Sequence, residues 1–185
     1  ETAELKEQIE NLAIELDNLK KELDLAIESK KIQISTNAAD LQAAEERLLQ
    51  ADDAMRKYRR FERASKRDEL DLAVVNAEAA LETAQSEYTT TRDTEVKVTK
   101  DENADDKKRK LLKDAQTKID EKENALNTAE DNLRVFRRYD NPSKLTRLFN
   151  AYEQAKLNLR KVKISTESKV VQSDKSIENY RRRIK

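Results

Sequence analysis

The chain has 185 residues, 38 acidic and 38 basic, with no Gly, Cys, His or Trp and a single Pro. The turn residues that hairpins require are nearly absent, and 41% charged residues beside a regular apolar stripe predict long helices rather than sheet or disorder. Zero net charge argues against a nucleic-acid or anionic-membrane partner. Missing Cys excludes disulfides and thiolate metal sites, and nothing approaches the roughly 20 apolar residues of a membrane span.

Leu5, Ile9, Leu12, Leu16, Leu19, Leu23 and Ala26 recur at alternating steps of four and three, the heptad seam of a supercoiling helix. The stripe then shifts by one position and runs through Ile27, Ile34, Leu41, Leu48 and Met55 at steps of seven. This predicts a first helix over 1–61, with its weak point, where a bend is expected if anywhere, at the β-branched stretch SKKIQIST (29–36). Leu12, Leu16 and Leu19 are expected in its core.

The phrase RKYRRFERASKR (56–67) closes that helix and returns 78 residues later as RVFRRYDNPSKL (134–145). Aligned without a gap, 51–82 and 129–160 share Ala51/Ala129, Asp53/Asp131, Arg56/Arg134, Arg59/Arg137, Arg60/Arg138, Ser65/Ser143, Lys66/Lys144, Leu70/Leu148, Ala73/Ala151, Ala77/Ala155 and Leu81/Leu159. Tyr58/Phe136, Phe61/Tyr139 and Met55/Leu133 are conservative pairs. Such identity means that one structural unit was copied. In the second copy Pro142 disfavours the helix before it, and Asn141 or Ser143 is suited to cap the next one. A helix–turn–helix tip is therefore expected there. The first copy has Ala64 in place of Pro142, and its turn rests on the repeat and on a capping box from Ser65 to Asp68.

Between the copies, Ala77, Ala84, Thr91, Val98, Asp105, Leu112, Ile119, Leu126 and Leu133 keep steps of seven. That predicts one central helix over 66–139, continuous through 89–110 and on the order of 110 Å long at 1.5 Å per residue. With a third helix over 143–185, the expectation is a single domain, 1–185: an elongated antiparallel all-α three-helix rod or coiled coil. A turn near DENADD (101–106) would give the alternative, a four-helix up-down bundle. Ala43, Ala44, Ala51, Ala73, Ala77, Ala80 and Ala84 suit closely packed two-stranded arms.

Without His or Cys the usual general base and thiol nucleophile are missing, and the carboxylates sit among cations on helix faces. No Gly-rich phosphate loop exists, and DENADD lacks the spacing, the glycine and the terminal Glu of a calcium loop. No enzyme, cofactor or metal is expected. The candidate partner-binding residues are those of the two tips: Tyr58, Arg59, Arg60 and Phe61, and Phe136, Arg137, Arg138, Tyr139, Asn141 and Pro142. Aromatic and Arg side chains are the types enriched at binding hot spots. The opposing reading is structural: Arg near a helix C-terminus answers the macrodipole, and aromatics one turn apart seal a hairpin end. Single-stranded nucleic acid could stack on such aromatics, but nearby Asp and Glu leave little basic excess.

The second phrase resembles the central receptor-binding segment of colicin-type bacteriocins. Those are Ala/Lys/Glu-rich helical hairpins, some with an aromatic–x–Arg–aromatic phrase shortly before an Asp-Pro turn. The residues that carry the resemblance are Phe136, Arg138 and Tyr139, then Asp140, Asn141 and Pro142, preceded by LNTAEDNL (126–133). A second similarity is to helical surface proteins of streptococci, which show an Arg/aromatic–Tyr–Pro tip to host proteins but favour Lys over Arg more than this chain does. Both resemblances imply a secreted or cell-surface bacterial protein whose tips bind a protein receptor on a cell surface. A monomer is expected, with a homodimer as the alternative. The rival class is an inert structural coiled-coil spacer, or a cytoskeletal or dimerisation segment.

Overall fold

The computed structural model describes residues 2–94 and 104–185. It is all-α, with no strand among the described residues. Helix α1 spans Thr2–Lys57, α2 Arg63–Asp93, α3 Ala104–Val135 and α4 Asn141–Ile184. A five-residue π-turn joins α1 to α2 (Tyr58–Glu62), and a second joins α3 to α4 (Phe136–Asp140). No described helix is long and apolar enough to cross a membrane. The chain divides into two compact units, residues 1–54 with 149–185, and residues 55–148.

In the first unit α1 and α4 run antiparallel. Asn37 Nδ2 donates to the Thr166 carbonyl at 3.2 Å, Lys30 pairs with Asp174, and Lys163 approaches Glu45 at 3.8 Å. Leu19, Ala44 and Ile177 are buried, together with Asn37 and Thr166. The stretch 29–36 is helical throughout; the Thr36 hydroxyl bonds back to the Ile32 carbonyl at 3.0 Å. Of the expected core leucines only Leu19 is buried. Leu12 and Leu16 are 64% and 38% exposed, because no described helix lies against that part of the stripe.

In the second unit α2 and α3 lie side by side and antiparallel. Arg137 Nη2 donates to Asp71 Oδ1 at 2.8 Å, and Lys118 approaches Glu87 at 3.6 Å. A single helix over 66–139 would hold Asp71 and Arg137 roughly 100 Å apart at 1.5 Å per residue, so the continuous central helix is replaced by a helix pair. Near the end of α2 the hydroxyls of Thr90, Thr91 and Thr94 bond to the carbonyls of Ser86, Glu87 and Thr90, as the hydroxyls of Thr83 and Thr117 do inside helices. Thr94 then turns extended, at φ −65° and ψ 114°. Of the expected helix over 89–110, residues 89–93 and 104–110 are helical, and 95–103 lie outside the described residues. The steps of seven hold as seam positions. Ala77, Ala84, Thr91, Leu112, Ile119, Leu126 and Leu133 are all buried or half-buried, but they belong to two facing helices. Ala44 and Ala84 are buried as the close-approach reading expected, whereas Ala43 and Ala73 are exposed.

The tips are the main correction. At neither phrase does the chain turn back. Glu62, Arg63, Val135 and Asn141 all have right-handed helical dihedrals. The backbone N–H of Arg63 reaches the Tyr58 carbonyl and that of Asn141 the Phe136 carbonyl, each five residues back. A π-turn inserts one residue without giving up a backbone hydrogen bond, so the helix passes through. Pro142 is the second residue of α4, directly after that widened turn. The first copy makes the same turn with Ala64, so proline is not its cause. Ser65 lies inside α2, and Asn141, being helical, is not a cap.

Candidate functional site: the paired π-turns

The repeat explains what stands opposite what. Because the helices are antiparallel, the middle of one copy meets the middle of the other, and the two π-turns face each other. Tyr58 of the first copy reaches Asn141 and Lys144 of the second. Reciprocally, Phe136 of the second copy lines a cleft with Arg63, Ala64 and Arg67 of the first. Asn141 and Arg63 are equivalent positions, as are Tyr58 and Phe136, so the pairing has local pseudo-twofold symmetry. A lone π-turn would shift one apolar stripe out of register with its partner. Two matched ones keep the facing stripes in phase.

Each phrase splits its two aromatics. Tyr58 and Phe136 are 3% and 8% exposed and fill the interface; Phe61 and Tyr139 are 68% and 66% exposed. The Tyr58 hydroxyl donates to Asn141 Oδ1 at 3.2 Å, with the buried asparagine as acceptor. Lys144 Nζ stands 4.5 Å from the Tyr58 ring centroid and donates to Glu62 Oε2 at 3.0 Å. That hydrogen bond, with the Lys144 charge, holds the Glu62 carboxyl below its ordinary range despite the opposing desolvation; Lys57 adds to it.

Phe has no hydroxyl, and Arg63 stands where the other half has Asn141. The Phe136 half therefore has no counterpart of the Tyr58–Asn141 bond. There a cleft of about 580 Å³ opens, lined by Arg59, Arg63, Ala64, Arg67, Phe136, Arg137 and Asn141. Arg67 is answered by Asp68 at 3.0 Å and Arg137 by Asp71 at 2.8 Å. The arrangement is a largely polar, Arg-lined recess suited to an anionic group, with Ala64 and Phe136 as its apolar members.

Of the expected site residues, Tyr58, Arg59, Phe136, Arg137 and Asn141 come together. Arg60, Phe61, Arg138, Tyr139 and Pro142 stay on the exposed surface. Sequence reasoning missed Glu62, Lys144, Arg63 and Asp71. Two signals pointed to the first pair: Lys66 and Lys144 are identical between copies, and Glu62 matches Asp140 in charge. No group of His, Cys, Asp or Glu among the described residues could hold a metal ion. Comparison with protein-family models, curated proteins and solved structures found no match to this chain.

Proposed function

We propose that the chain is a non-enzymatic helical segment of a bacterial secreted or surface protein, and that its paired π-turns dock on a protein receptor at a cell surface. The observation that carries this reading is the exposure of Phe61 and Tyr139, about two-thirds each, among exposed Arg59, Arg60, Arg137 and Arg138. Packing does not need them, since Tyr58 and Phe136 already fill the interface. Both copies nevertheless put an aromatic at that outer position. Acidic groups on the partner would meet the Arg-lined cleft beside Phe136, and its apolar groups would meet Phe61 and Tyr139.

The test is binding of the fluorescently labelled chain to bacterial cells, with and without protease treatment of their surface. Protease-sensitive binding is expected. Phe61→Ala with Tyr139→Ala should weaken it by about thirtyfold, the effect of losing roughly 2 kcal/mol at a hot spot, with thermal unfolding unchanged. Binding that ignores both the protease and the double variant would overturn the reading. A second reading, a structural coiled-coil spacer, is favoured by the burial of Tyr58 and Phe136, which assigns half of the repeated phrase to packing.

A further inference from the structure

The two halves of the paired π-turns are copies of one unit that no longer match. In the Tyr58 half, Lys144 crosses to Glu62 at 3.0 Å and lies 4.5 Å from the ring centroid. The equivalent pair in the other half is Lys66 and Asp140. Lys66 is held on its own helix instead, by Glu69 at 2.8 Å. The position equivalent to Glu69 is Arg147, which cannot hold Lys144 in that way. This one difference leaves Lys144 to close its half and keeps Lys66 from closing the other. Two further differences put charge into the open half: Arg63 stands for Asn141, and Arg67 for Leu145. With Arg59 and Arg137 they line the cleft beside Phe136, which lies wholly within residues 55–148. Four guanidiniums are answered there by two carboxylates, Asp68 and Asp71, so two positive charges are left over. They belong to Arg59 and Arg63. Among the described residues, neither side chain has a hydrogen-bond or ion-pair partner. Asn141 lines the cleft as well; its Oδ1 accepts from Tyr58, which leaves its amide nitrogen to donate.

We propose that this cleft binds a doubly charged phosphate group, free or as a monoester. A phosphate monoester carries about two negative charges near neutral pH and three acceptor oxygens, a match for two unpaired guanidinium forks and an amide. A carboxylate or a phosphate diester carries a single charge and leaves one Arg unanswered. The proposal gives a ligand class to the cleft of the receptor reading, and rests on that reading only for what presents the phosphate.

The test is titration of the 185-residue chain with phenyl phosphate at low ionic strength, followed through the arginine Nε–Hε signals by NMR. A dissociation constant of about 1 mM is expected, with diethyl phosphate and benzoate weaker by about tenfold or more. Inorganic phosphate is the second arm: tighter binding than phenyl phosphate identifies the free ion as the ligand, and weaker binding the ester. Arg63→Asn, which gives this half the residue of the other, should weaken binding by about tenfold, and adding Arg59→Gln should abolish it. The melting temperature should move by no more than about 2 °C, since neither side chain is paired in the fold. Arg160→Gln, the same loss of charge on α4, should leave binding as it was. Equal binding of all four anions, or equal losses from Arg160→Gln and Arg63→Asn, would reduce the effect to general charge and overturn the proposal. So would the absence of binding by both phenyl phosphate and inorganic phosphate; protease-sensitive cell binding would then still support the receptor reading by itself.

Discussion

Tyr58→Phe removes one oxygen from the centre of the paired π-turns and leaves the ring in place. The Lys144 ammonium keeps its aromatic face, so the change isolates the Tyr58–Asn141 hydrogen bond. Asn141 Oδ1 would then be left in a buried position without that donor. An abandoned buried acceptor costs about 1–3 kcal/mol, and the 3.2 Å length, longer than most hydroxyl bonds, puts the effect near the low end, about 1 to 1.5 kcal/mol. At roughly 2–4 °C per kcal/mol for a chain of this size, the melting temperature should fall by about 2–6 °C. Thermal unfolding followed by circular dichroism measures it. The counterpart Phe136→Tyr adds a hydroxyl beside the open Arg-lined cleft, where water can serve it, and should change stability by less than about 0.5 kcal/mol. Combining Tyr58→Phe with Asn141→Leu should recover much of the loss, since removing both partners relieves the unmet acceptor. A silent Tyr58→Phe, or strict additivity in that pair, would refute the assignment of Tyr58 and Asn141 as the polar lock of the interface.

Ala84 is buried where α2 and α3 approach, so Ala84→Leu should cost about 1–3 kcal/mol by overpacking, read as a lower denaturation midpoint in urea. Asn37, buried in the first unit, accepts from Gln33 at 2.8 Å and donates to the Thr166 carbonyl. Asn37→Leu should raise thermal stability while loosening the register between α1 and α4, seen as a broader distribution of spin-label distances between them. Because Lys144 lowers the Glu62 value in the folded chain, its contribution is full above the ordinary Glu range near 4.5 and is lost as pH falls through the lowered folded value. Glu62→Gln should flatten that part of the stability–pH curve while leaving neutral-pH helicity intact.

Helix was written in the sequence almost residue by residue. Charge content, the missing Gly and the heptad spacing of Leu19, Leu41, Leu48, Met55, Ala84, Ile119 and Leu126 require amphipathic helices, and those side chains do sit at the seams. The copied phrase was legible too, with its two pairs of aromatics at matching positions. What one strand of text could not decide is which helix a seam faces. Steps of seven from Ala77 to Leu133 fit one long helix as well as two antiparallel ones, because a seam records its own period and not its partner. Pro142 misled for a similar reason: its cost inside a regular helix is local, but a π-turn just before it, matched by another across the interface, lets the helix continue. Which aromatic of each phrase faces inward is set by that widened turn, which no spacing rule for regular helices contains. The sequence by itself determined the helices, their apolar faces and the duplication. Only the tertiary structure decided that the copies meet face to face, burying Tyr58 and Phe136 and leaving Phe61 and Tyr139 outside, since that depends on contacts between residues roughly 80 positions apart along the chain.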